Sequence, residues 1–158
     1  MKNKLIYLAF MFLISLHYAF ATDDNNNAFV CTQSATAPNA AIARKKALLH
    51  ARNFLATMVN GKVKNVSESY ISNNSLTGES IDEFITETKT TASVLLSNVE
   101  VSNESVIKEK KNKYTVYVTL KLDKNKVLNS LCKNILENKS LSKNFDEKKF
   151  TEEWNKNE

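Results

Sequence analysis

Glycine, histidine and cysteine are all scarce in this chain, and each scarcity removes a class of function. The 158 residues hold two glycines, Gly61 and Gly78, so no glycine-rich loop can cradle a phosphate group. The histidines are His17 and His50, and His17 falls in the N-terminal apolar stretch. With only His50 beyond it, one chain cannot assemble a histidine acid–base pair or a multi-histidine metal site. The two cysteines, Cys31 and Cys132, have no zinc-motif spacing. Carboxylates occur in neighbours such as Asp82 with Glu83 and Glu147 with Glu152 and Glu153, where they read as solvated faces and a helix cap. The expectation is therefore a protein that is not an enzyme, with no cofactor, no metal and no small-molecule substrate.

The N-terminus reads as a processing signal. Lys2 and Lys4 form a basic start, Leu5 to Leu16 is an unbroken apolar run, and Ala19-Phe20-Ala21 fits the small-residue cleavage rule. The run is shorter than the roughly 20 residues that a membrane span prefers. Residues 1–21 are thus expected to be a signal peptide, cleaved before Thr22, and the chain to be exported to the periplasm or beyond the cell. No membrane span is expected after cleavage. Cys31 is not preceded by the small residue that lipid attachment requires, so no lipid anchor is expected there.

Cleavage would leave 20 basic against 17 acidic residues, a net charge of +3. That is a mildly basic surface without a nucleic-acid footprint. Arg44, Lys45, Lys46 and Arg52 are the nearest thing to a basic patch, and they read as the wet face of an amphipathic helix. A bridge between Cys31 and Cys132 would close nearly the whole domain and, in the chain-entropy model, contribute about 4–5 kcal/mol. Two buried free thiols are the alternative. The apolar faces that carry both cysteines favour the candidate disulfide.

What is abundant is alanine at helical spacing. Ala40, Ala43, Ala47 and Ala51, with Phe54, Leu55 and Met58, mark one buried face of a helix over Ala40–Val59. Pro38 marks its start and Gly61 its stop. Before it, residues 22–27 form a polar leader expected to be disordered, and Ala28–Thr36 reads as a strand. After it, Lys62–Ser72 reads as a second strand with one exposed side, and 73–78 as a loop. Ser80–Ser97 is ambiguous. A capping box at Ser80 and Glu83 and the spacing of Ile81, Phe84, Ile85, Thr88, Ala92, Leu95 and Leu96 favour helix, while its threonines could extend as a strand. Val99 to Ile107, a turn at Lys110–Lys113, and the strict alternation of Tyr114, Val116, Val118, Leu120 and Leu122 read as a hairpin. Asp123 caps a last helix with the stripe Val127, Leu128, Leu131, Cys132 and Ile135.

The sum is an α+β domain over residues 28–137, element order β-α-β-α-β-β-α, with helices packed on one face of a small antiparallel sheet. Residues 138–158 are expected to form a charged helix or tail. Leu141, Phe145, Phe150 and Trp154 recur there at near-helical intervals, either as a terminal helix folded back on the domain or as a segment that docks a partner. Candidate partner contacts are Tyr117, Phe145, Phe150 and Trp154.

The alanine-rich helix, the Gly61-Lys62-Val63 that follows it, Leu96 to Val101, and the run Tyr114 to Asp123 together resemble the LPP-twenty lipoprotein family. That family includes FlgP-type flagellar outer-membrane proteins and is similar to the N-terminal domain of FlgT. The resemblance spans about Phe29 to Leu136. It implies a small α/β domain with a structural or assembly role at the cell envelope, often in rings around the flagellar motor. Self-association or binding to other envelope proteins is then the expected activity, at the outer membrane or free in the periplasm. The alternative is a secreted or periplasmic binding module, or an inhibitor, that docks a target through its tail.

Overall fold

A computed structural model describes residues 27–74, 76 and 78–156. The expected signal peptide and residues 22–26 of the leader lie outside the described residues. Among the described residues, three strands and four α-helices follow in the order β1 (Ala28–Ala37), α1 (Ala40–Asn73), α2 (Gly78–Ser97), β2 (Val101–Lys108), β3 (Tyr114–Asp123), α3 (Lys124–Glu137) and α4 (Glu147–Lys156), with a 3-10 turn at Lys110–Asn112 between β2 and β3. The class is the expected one, α+β with a single antiparallel sheet.

β3 is the middle strand of the sheet, with β1 and β2 antiparallel on either side. Its alternation dictates this place. Val116, Val118, Leu120 and Leu122 are buried on one face, and β1 sets Phe29 against Leu122 and Cys31 against Leu120 on that same face. The other face carries hydroxyls: Thr32 and Thr119 share a 2.8 Å hydrogen bond, and Thr36 and Thr115 one of 2.7 Å. Cross-strand threonine pairs of this kind suit a face that no described helix covers.

α1 is 34 residues long and runs straight through Gly61, so the expected second strand at Lys62–Ser72 does not exist. The element order is β-α-α-β-β-α-α. The reason lies in the core spacing. Val59, Val63, Val66 and Tyr70 continue the stripe begun by Ala43, Ala47, Ala51 and Leu55, and all are buried. Gly61 costs an exposed helix interior only about 1 kcal/mol, which a packed stripe of this length outweighs. Asn39 provides the N-cap, its Oδ1 accepting from the amide of Ala41 at 2.7 Å.

Residues four apart advance by about 40° around a helix, so the stripe winds as it goes. The first half of α1 faces the sheet, where alanines allow close approach. The second half has turned toward α2 and α4, where Tyr70 stacks on Phe84 at 5.3 Å and meets Phe150 edge-on at 5.4 Å. Phe145 completes this aromatic cluster.

The ambiguous segment is helix α2, but the capping box is not where it was expected. The helix begins two residues earlier, at Gly78, and the Glu83 carboxylate accepts from Asn138 Nδ2 at 3.0 Å and from the Ser140 hydroxyl. The cap on α3 is the expected one: Asp123 Oδ1 accepts from the Lys126 amide at 2.8 Å, and the stripe Val127, Leu128, Leu131, Cys132 and Ile135 is buried. The hairpin turn carries Lys111 and Asn112 in left-handed backbone, at φ 62° and 52°.

Candidate functional site

Of the four candidate contact residues, only Tyr117 faces outward. It is 39% exposed on the threonine-bearing side of the sheet. Phe150 and Trp154 are fully buried, and Phe145 is half-buried against the same core. The segment after residue 137 is therefore part of the fold. Its aromatic side chains fill the space between the second half of α1 and α2, because neither helix alone covers Tyr70 and Phe84. Lys62 locks the end of α4, with Nζ donating to the Trp154 carbonyl at 2.7 Å and lying 5.0 Å from the indole centre.

The carboxylates of this region serve the same attachment. Glu153 accepts from the Ser69 hydroxyl at 2.6 Å, Lys156 Nζ at 3.0 Å and Asn73 Nδ2 at 3.3 Å. The Ser69 hydrogen bond, then that from Lys156, holds its pKa below the usual carboxylate value. Glu83 is lowered likewise, by Ser140 and then Asn138. A general acid at neutral pH needs the opposite shift, so these two groups act as ionised struts.

Cys31 and Cys132 are both buried and carry free thiols, so the candidate disulfide is not formed in this structure. They sit in different surroundings: Cys31 lies on β1 beside Gln33, whereas Cys132 lies on α3 beside Thr151 and Glu147. Burial, reinforced by the negative charge of Glu147, pushes the Cys132 thiol up to about 11, and burial raises Cys31. Both remain protonated thiols at neutral pH, the form that is a poor nucleophile. His50 is exposed on α1, next to Phe54 and across from Gln33. Among the described residues no three of His, Cys, Asp or Glu converge as a metal site. No described helix is long and apolar enough to cross a membrane.

Two surface features remain, and sequence reading missed both. One is a groove between α1 and α2 of about 590 Å³. Ala56, Val63, Ile85 and Leu96 give it apolar walls, Ser67 donates to Thr88 at its floor (3.5 Å), and Lys64, Glu68 and Lys89 stand along it. It exists only because α1 continues past Gly61, and the helical spacing of Ala56, Asn60, Val63 and Ser67 was the available signal.

The other is the outer edge of β2, which pairs with no further strand among the described residues; only Val101 is even partly covered, and Val106 and Ile107 are 52% and 48% exposed. The mixed polar sequence of this strand, without the alternation of β3, is the mark of an edge. A bulge at Ser102 breaks its register, and the serine hydroxyl donates to the Thr119 carbonyl at 3.1 Å. Farther along, Glu104 accepts from Arg44 Nε of α1 at 2.8 Å. Comparison with protein-family models, with curated proteins and with solved structures finds no match.

Proposed function

We propose that this is an exported, non-enzymatic protein of the cell envelope with a structural role, which works by binding copies of itself or other envelope components. Export rests on the basic start, apolar run and Ala19-Phe20-Ala21 site at the N-terminus. The resemblance to the LPP-twenty family adds the outer membrane or the flagellar motor as the place of assembly. The observation that carries the reading is the open side of the sheet: an outer strand, β2, with no neighbour on one side among the described residues, next to a face that no described helix covers and that bears Tyr117 and Ile107. Unpaired strand edges and exposed aromatic groups are what protein contacts use.

Docking through the tail has lost its support, because Phe150 and Trp154 would have to leave the core to reach a partner. Cell fractionation with crosslinking tests the reading. Recovery of the processed chain in the envelope fraction, joined to itself or to another envelope protein, is the expected result. A chain that stays inside the cell unprocessed, or one that crosslinks to nothing, overturns it.

A further inference from the structure

The ladder of β2 decides which of its backbone groups are free. The Glu109 amide donates to the Lys113 carbonyl at 2.7 Å, at the mouth of the hairpin. In an antiparallel pair, successive residues turn their amide and carbonyl alternately toward and away from the neighbouring strand. Counting back from Glu109, Ile107 and Ser105 point at β3. Lys108, Val106 and Glu104 therefore present their N–H and C=O groups to solvent along the outer edge.

The side chains of these same three residues lie on one face. Glu104 is opposite Val118, Val106 opposite Val116, and Lys108 opposite Tyr114, which puts them on the helix side of the sheet. Arg44 reaching down from α1 to Glu104 agrees with that placement. Its Nε binds Oε2, which leaves Oε1 able to take a second cation.

We propose that β2 pairs with β2 of a second copy, antiparallel about a two-fold axis through Val106, so that two three-stranded sheets join into one. This rests on the self-association reading above and names the surface it would use. In that register Glu104 lies opposite Lys108 of the second copy, Val106 opposite its own counterpart, and Lys108 opposite the other Glu104. Each outward N–H of these three then meets a C=O of the second copy, and each outward C=O an N–H. Two alternative centres are repulsive: an axis through Glu104 sets carboxylate against carboxylate, and one through Lys108 sets ammonium against ammonium. An axis through Ser105 or Ile107 leaves Glu104 and Lys108 unmatched with each other. Charges on an edge strand normally discourage indiscriminate pairing. Here the same charges select one register, and the exposed Val106 sits at its centre. On the opposite face Ile107 meets Ser105 of the second copy, and an isologous contact of this kind closes at two subunits.

The test is the mass of the purified, processed protein across a concentration series, for the wild type and three variants. Lys108→Glu and Glu104→Lys each set like charges opposite one another, and each should weaken self-association by at least about tenfold. Mixed in equal amounts, these two variants should pair again as a heterodimer, since each then supplies the charge the other lacks. Val106→Pro removes an outward-facing amide that the monomer's own ladder does not use, so it should abolish pairing while the circular dichroism spectrum stays unchanged. If Val106→Pro fails to fold, the two charge variants, on exposed side chains, still decide the matter. Wild-type self-association that all three variants leave intact overturns the β2 pairing, with the envelope reading still standing. A wild type that is monomeric throughout also overturns it, while crosslinking to other envelope proteins tests the broader reading separately.

Discussion

The two halves of α1 lie in the same helix and solve opposite packing problems. From Ala43 to Ala51 the buried residues are alanines, and the sheet comes to the helix. From Val59 to Tyr70 most of them are larger (Val59, Val63, Val66 and Tyr70, with Ser67 the exception), and Tyr70 packs against the aromatic rings of Phe84, Phe145 and Phe150. The first half depends on the absence of side chain, the second on its presence. One stripe winding around a helix can thus meet a flat β-layer at one end and a wedge of short helices at the other. The long helix holds the two together, so truncation should be the harmful change at one end and enlargement at the other.

The largest effect belongs to the aromatic end. Phe150→Ala would open a cavity beside Tyr70 and Phe84 and cost about 3–5 kcal/mol, read as a drop in the denaturant midpoint. The small size of this variant's loss would mean that α4 docks loosely. At the alanine end the harmful change is enlargement. Ala47→Leu would force α1 off the sheet and cost about 1–3 kcal/mol. A neutral result would show that the helix and sheet are less closely packed than their burial indicates.

Between the halves stands Gly61, exposed, with nothing within 4 Å of where a Cβ would lie and no left-handed backbone. Gly61→Ala should therefore stabilise by about 0.5–1 kcal/mol, raising the melting temperature. A loss of stability there would mean that α1 is interrupted at this point.

The smallest expected effect is one of pH, and it falls at the aromatic end. Glu153 and Glu83 have pKa values held below the ordinary 4.5 by hydrogen bonds to their ionised forms. Their contribution to stability is fully present above 4.5 and is lost as pH falls through their lowered folded values. Acid should thus loosen the attachment of α4 to α1, and Glu153→Gln should flatten that part of the stability profile. An unchanged profile in the variant would remove Glu153 as the strut.

Legibility followed the same division. β3 could be read without the fold, because strict alternation from Tyr114 to Leu122 leaves no other way to bury one face. The α3 stripe and the Asp123 cap were legible for the same reason, and so were Ala43, Ala47, Ala51 and Leu55 of the alanine stripe, whereas Phe54, read onto that buried face, is 53% exposed. The continuation of α1 was not legible, because Gly61 looked like a stop and Val63, Val66 and Tyr70 fit a strand of imperfect alternation as well as they fit a helix. Which description wins depends on Phe84 and Phe150, far away in sequence, being there to cover Tyr70.

Phe145, Phe150 and Trp154 show the same limit from the other side. Aromatic residues spaced through a charged tail look alike whether they fill their own core or another protein's groove. The outer edge of β2 also needed the tertiary structure, since a strand is an edge only when nothing lies beyond it.

Local periodicity by itself determined the elements with one regular buried face: β3, α3 and the first half of α1. Contacts between distant segments decided the rest: the far half of the long helix, the burial of the tail, and the two thiols packed in separate surroundings. The physical reason is that a repeat records how a segment buries its own face, whereas the identity of whatever covers that face is written elsewhere in the chain.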